Sequence, residues 1–370
     1  MIVVVGKGIF GLSVAEFLSR ESQRKVRLLF SAQKGTASLA AAANLATKAQ
    51  VFARDPHFGL KLSGKQIYRR WLQQLCAESP RYRDVDLNTI YVEGLGRDVF
   101  SSVELAEKQW KRVVQSPVDL VARKCPPQAV FRKTQDSIEY GHEAWVDADF
   151  LLNLLEDVCL SRGVEFCECD ATNISDLEIQ SHGASALILC AGSETPLLLE
   201  ALQLRELPLA FQKSRRWSYG ATLALSTPQL QLPQGVALLE WVSDAALEKL
   251  TFSGAGERYY CSSVSVSCPN SILSSTAGEP NREQLEQQQA VVADALEKFF
   301  GLRLDGVTHS WRWGTRLGFG HKELVVEAVP HDFSFLEGPI VVASGAHKSG
   351  FLFAPLIGSL VRQKLQACMV

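Results

Sequence analysis

The chain has 370 residues, of which 46% are hydrophobic and 21% charged, with a formal net charge of −2. That composition belongs to an ordinary globular protein, long enough for two cores, and argues against intrinsic disorder. The near-neutral balance provides no basic field for nucleic acid, and with no apolar run of 18 or more residues and no charged n-region before the first apolar run, neither a membrane span nor a secretory signal is supported and a cytoplasmic location is the expectation.

Residues 2–11 read IVVVGKGIFG. A short apolar run followed by Gly6, Gly8 and Gly11 has the G-x-G-x-x-G spacing expected where a buried parallel strand turns into a helix whose first amides receive a pyrophosphate. The same spacing also satisfies tight strand-to-helix packing with no ligand. Ile9 and Phe10 open the helix, which continues through Val14, Phe17 and Leu18 at helical spacing, and KVRLLFS at 25–31 reads as a second strand. The next segment, TASLAAAANLATKAQ at 36–50, is dominated by small residues. It fits either a backbone lying against a flat ligand or the start of an alanine-rich helix.

A helix is expected over 64–78, and short strands with polar turns over 87–140. In WVDADFLLNLLEDVCLSRG at 145–163, Asp147 is placed to cap a helix, with an apolar stripe through Phe150, Leu151, Leu154, Leu155 and Val158 and with Gly163 as its stop. Strand VEFCECD follows, with Cys167 and Cys169 on one face. The nine cysteines form no C-x-x-C pair, so they read as reduced thiols serving packing, and no metal site is expected. ASALILCAG at 184–192 is an apolar strand ending in Ala191 and Gly192. From 206 to 319 the runs become β-like, as in YGATLALS, with the basic stretch KSRRW at 213–217 read as a solvated edge. A helix over 282–300 places Leu285, Val292, Leu296 and Phe299 on one side. GPIVVASGAHKSGFLFAPLIGSLVRQKL at 338–365 then reads as strand, glycine-rich loop and helix, with Pro355 in its first turn. The chain is therefore expected to be α/β. A Rossmann-like domain is drawn from 1–85, 140–205 and 320–370, and a second, sheet-rich α+β domain from 86–139 and 206–319.

The segments VVVGKGIFG, ALILCAGS and SGAHKSGFLFAPLIGSL stand in the order and at the distances seen in the D-amino-acid oxidase superfamily of FAD enzymes, which includes glycine and sarcosine oxidases, and the chain resembles that superfamily over its length. The closing motif of the family is Gly-His-x-Arg-Asn-Gly followed by an apolar pair and Ala-Pro. Gly345, Gly350, Ala354, Pro355 and Gly358 match it, and Ala346, Lys348 and Ser349 depart. The resemblance implies FAD as cofactor, with its pyrophosphate at Gly6, Gly8, Ile9, Phe10 and Gly11. It puts Ser31 where relatives place an acid for the adenosine ribose. Serine with Lys34 nearby also suits a 2′-phosphate, so this half alone leaves NADP open. Ala42, Ala43, Asn44, Thr47 and Lys48 would run along the isoalloxazine, with Ala191 and Gly192 alongside. Lys48 reads first as a surface charge and second as an aid to oxygen reduction. Gly345, Lys348, Ser349, Gly350 and Phe351 would approach the flavin's pyrimidine edge.

The implied reaction oxidises the C–N bond of a small amine or amino acid by hydride transfer to flavin N5, with O2 as acceptor. SWRWGTRLGFG places Arg316 at the family's carboxylate-binding position, without the usual proline after it. Arg312 is the alternative, and either arginine also fits a buried structural ion pair. Tyr219 is a candidate hydroxyl donor at the site. For Trp217, Tyr219 and Tyr259 alike, core packing is the first reading. His347 is a neighbour of the implied flavin loop with no proton-transfer role assigned. Two other readings stay open, a dehydrogenase of the same fold acting on a larger substrate and a flavin-binding subunit without turnover.

Overall fold

The computed structural model describes residues 1–21, 25–31, 37–46, 57–115, 131–204, 206–212, 215–242, 249–263, 266–268, 282–319 and 324–368. In chain order the first elements are β1 (Ile2–Val5), α1 (Ile9–Leu18), β2 (Val26–Phe30), α2 (Phe58–Glu78), β3 (Tyr91–Phe100), α3 (Val103–Gln115), β4 (Phe131–Lys133) and β5 (Ser137–Val146). Then come α4 (Ala148–Ser161), β6 (Glu165–Glu168), α5 (Ile174–Ser181), β7 (Ala186–Leu189), α6 (Thr195–Ala201) and α7 (Leu209–Gln212). The last are β8 (Arg215–Ser226), β9 (Val236–Val242), β10 (Lys249–Ala255), β11 (Arg258–Ser262), β12 (Val266–Cys268), α8 (Arg282–Phe300), β13 (Thr308–Phe319), β14 (Val325–Val329), β15 (Ile340–Ser344) and α9 (Gly350–Ala367).

The first sheet has the order β14-β15-β7-β1-β2-β6. All its pairings are parallel except that of β14 with β15. Strands covered on both faces must be apolar throughout, and β1 and β7 are buried at every position. Ile2 and Val4 face one core together with α1, α4 and α9, while Val3 and Val5 face a second core with Leu187 and Leu189. Asp147 caps α4 as expected, its carboxylate accepting from the Phe150 amide at 3.0 Å, and Gly163 follows the helix at φ 77°. Cys167 and Cys169 both pack on the second core and are free thiols.

The second sheet is mostly antiparallel, with β13, β8, β11, β10, β9, β3, β5 and β4 side by side and β12 sharing one edge of β8. Its longest ladder runs from Thr308↔Ser226 to Phe319↔Arg215. The domain boundary expected at residue 140 falls inside β5. Val292 and Leu296 of α8 pack on Leu223, Leu225 and Phe252. Phe299 at the end of the stripe is 39% exposed and packs its ring on Trp241 at 4.7 Å between centroids. Gln288 is also buried, and its Oε1 accepts the Ala221 amide at 3.0 Å, which explains a polar residue on the core face. Pro355 also differs from expectation. The closing helix already begins at Gly350, so the proline lies inside it rather than in its first turn.

The sheets are joined by polar contacts around the start of α4. Asp147 is fully buried, and besides capping the helix it accepts from the Tyr260 hydroxyl and from Arg258, both at 3.1 Å. Arg312 of β13 donates to Asp149 and to the Leu39 carbonyl.

Candidate active site

A cavity opens over the carboxyl ends of β1, β2, β6, β7 and β15, the edge of a parallel sheet at which such folds bind ligands. It is lined beyond β2 and β6 by Phe30, Ser31 and Asp170, beyond β1 by Gly6 and Gly8, and toward β15 by Arg316, His347 and Gly350, with Ala191 and Gly192 along its wall.

The three opening glycines do different things. Gly6 has φ 111°, and a Cβ there would lie 2.5 Å from the Cys190 carbonyl oxygen. A Cβ on Gly11 would lie 1.7 Å from the Gly6 carbonyl oxygen. These two are demanded by the turn and by helix–strand contact. Gly8 has φ −82°, which any residue adopts, and its nearest neighbour would be the Ser38 hydroxyl at 3.1 Å. Its smallness keeps the cavity floor open. Ser38 also accepts the Ile9 amide at 2.9 Å and lines the cavity with Ile9 and Phe10. Sequence reasoning passed over Ser38, although a hydroxyl within a run of alanines was a visible signal.

Among the described residues of the alanine segment there is no helix, Ala37 and Ser38 line the cavity, and Ala42, Ala43 and Asn44 stand beyond that lining. The reason is anchoring by the second sheet. The Thr222 hydroxyl holds the Ala40 carbonyl at 2.7 Å and Ser253 holds that of Ala42 at 3.4 Å, while Ala42 packs on Trp145 and Tyr260. Asn44 bridges to Trp145. Thr47, Lys48 and Lys34 lie outside the described residues.

At the far end, β15 leads into Gly345 at φ 85° and His347 at φ 48°, and α9 opens at Gly350 with its amino terminus toward the cavity. His347 Nε2 meets the Ser218 hydroxyl at 3.2 Å. Gly318 permits this approach, since a Cβ there would lie 3.0 Å from the imidazole. Ser218 is the register partner of Arg316, so strand pairing brings Arg316 and His347 to one place. Burial pushes the Arg316 guanidinium below its ordinary pKa, and it also strengthens any charge contact made there. Lys348 is exposed, Ser349 and Phe351 are buried, and none of the three lines the cavity. Tyr219, Trp217 and Tyr259 are core residues outside the lining, with the Trp217 indole donating to the Ser193 carbonyl at 3.3 Å. Arg312 is paired with Asp149 and does not line the cavity.

The sequence matches the DAO family, described as FAD dependent oxidoreductase, over residues 1–364. The chain belongs to this family of FAD-dependent oxidoreductases. It is accordingly an enzyme with FAD as its cofactor. Its fold is similar to that of iminodiacetate oxidase from Chelativorans sp. BNC1 (17% identity, TM-score 0.69), covering 99% of this chain and 95% of that one. It is likewise similar to glycine oxidase from Geobacillus kaustophilus (14%, TM-score 0.69; 99% and 94%) and to L-proline dehydrogenase from P. horikoshii (10%, TM-score 0.61; 98% and 92%). A sequence search of curated proteins gives no match.

The residues present fit a flavin dinucleotide. The open floor at Gly8, the amino termini of α1 and α9 on the same cavity, and polar groups at both its ends suit a long anionic ligand with a pyrophosphate near its middle. Among the described residues no helix is long and apolar enough to cross a membrane, and no group of three or more His, Cys, Asp or Glu could hold a metal.

Proposed function

We propose that this enzyme oxidises the C–N bond of a small amine or amino acid, with O2 as electron acceptor. Bound FAD supplies a two-electron acceptor at N5 for a hydride from the carbon bearing nitrogen. The protein's share is to bind, orient and exclude water. In this reading the pyrophosphate lies over Gly6 and Gly8 at the amino terminus of α1, with Ser38 beside it. The loop from Gly345 to Gly350 presents backbone amides and the positive end of α9 to the pyrimidine edge. Arg316 holds the substrate carboxylate through paired hydrogen bonds, and the Ser218–His347 contact braces the wall beside it.

The observation that carries the proposal is Arg316, a guanidinium recessed in the wall of the cavity beside the Gly345–Gly350 loop. Its test is anaerobic bleaching of the bound flavin by a panel of amines and of both enantiomers of amino acids, followed by a peroxide assay in air. Bleaching by carboxylate-bearing amines with peroxide release is the expected result. Bleaching without peroxide would make the enzyme a dehydrogenase. No bleaching by any C–N substrate would overturn the reaction class. The free thiols at Cys76, Cys159, Cys167, Cys169, Cys190, Cys261 and Cys368 support a reducing, cytoplasmic setting.

A further inference from the structure

The adenosine end of a dinucleotide presents a vicinal diol, and Rossmann-like sites meet it with a carboxylate that accepts from the ribose hydroxyls. At the end of β2 this chain carries Ser31, exposed on the cavity rim and able to offer only a neutral hydroxyl. The carboxylate is found one strand over. β2 and β6 pair in parallel with Phe30 opposite Glu168, and the Cys169 amide donates to the Phe30 carbonyl at 2.8 Å. The chain then leaves β6 through Cys169, Asp170, Ala171 and Thr172, all of which line the cavity together with Phe30 and Ser31.

Asp170 is held before any ligand arrives. Its Oδ1 accepts from the Thr172 amide at 3.1 Å and from the Thr172 hydroxyl at 2.6 Å, and its carbonyl accepts from the Asn173 amide at 2.9 Å. Among the described residues that line this end of the cavity the cation is Lys7, and it is committed elsewhere. Its Nζ pairs with Glu156 at 2.6 Å and lies 4.9 Å from the centre of the Phe30 ring. A ribose carrying a 2′-phosphate would therefore meet a carboxylate here, with the lysine already neutralised. A plain diol meets an oriented acceptor.

We propose that Asp170 binds the adenosine ribose hydroxyls of FAD, doing from the end of β6 what a carboxylate at the end of β2 does in other dinucleotide sites. The assignment rests on FAD lying in this cavity with its pyrophosphate at Gly8. The test uses the full chain stripped of flavin and titrated with FAD and with an FAD analogue lacking the adenosine 2′-hydroxyl. Asp170→Asn keeps the Oδ1 contacts to Thr172 and removes the charge. It should weaken FAD by roughly 10-fold to 100-fold, the usual scale for a charged hydrogen bond. Wild type should prefer FAD over the analogue, and Asp170→Asn should show no preference. Adding Ser31→Glu to Asp170→Asn should restore part of the FAD affinity, which a merely structural role for Asp170 does not predict. FAD affinity unchanged in Asp170→Asn, or an equal loss for FAD and the analogue, would overturn the proposal. Loss of FAD affinity in Asp170→Asn but not in Gly8→Val would overturn the placement of FAD on which it rests.

Discussion

Around the opening turn the cavity floor is backbone, since Gly6 and Gly11 close a turn so tight that neither tolerates a Cβ, and Gly8 leaves the floor bare. At the far end the wall is made of side chains, Arg316 and Ser218 from the antiparallel sheet and His347 from the loop after β15. On the proposed function, the difference follows from what each end recognises. A pyrophosphate is common to every dinucleotide and is met by amides, whose geometry the fold itself determines. A substrate is particular, and it is met by side chains that can change while the fold does not.

The largest effect should come from the side-chain end. Arg316→Ala should keep its FAD and lose about 2 to 5 kcal/mol in kcat/KM, some tens-fold to thousands-fold, with Arg316→Lys recovering part because a point charge lacks the bidentate geometry. Steady-state kinetics with any substrate found by flavin bleaching will check this. Wild-type efficiency in Arg316→Ala would remove the contrast between the two ends.

Ligand addition probes the cavity as a whole. FAD at a hundred times its Kd should stabilise the flavin-free protein by about 2.7 kcal/mol, seen as a rise in Tm. No rise would mean that the cavity does not hold the dinucleotide.

The backbone end is sharpened by two glycine variants. Gly11→Ala should cost roughly 1 to 3 kcal/mol of stability in the flavin-free protein, because its methyl group meets a carbonyl oxygen. Gly8→Val should leave the denaturation midpoint of the flavin-free protein nearly unchanged while abolishing flavin retention, read from the visible absorbance. Should Gly8→Val keep stoichiometric FAD, all three glycines serve packing alone.

The smallest expected effect belongs to Arg312, four residues from Arg316 on the same strand. Its partner is Asp149 at a partly exposed site, so Arg312→Ala should lower stability by about 1 kcal/mol without altering KM, measured by urea denaturation alongside kinetics. A raised KM would give Arg312 a share in substrate binding.

Much of the fold was legible because it is written in neighbouring residues. Four apolar residues before a glycine turn announce a buried strand, Asp147 three residues before Phe150 announces a helix start, and the closing glycine loop before an apolar helix carries the family resemblance. What is not written there is set by distant partners: Gln288 is buried because the Ala221 amide needs an acceptor, and the Ala42 carbonyl is held by Ser253.

The sequence by itself determined the strand–turn–helix unit, the alternation that builds a parallel sheet, and the residue types available to a flavin site. Only the tertiary structure distinguished the clearance at Gly8 from that at Gly6 and Gly11, paired Arg312 with Asp149 while Arg316 lines the cavity, and brought Asp170 to the same rim as Ser31. The physical reason is range. Periodicity and capping act over one turn of chain, whereas clearance, ion pairing and strand register depend on residues such as Cys190, Asp149 and Glu168, which lie more than a hundred positions away from Gly6, Arg312 and Phe30 and meet them only when the sheets close.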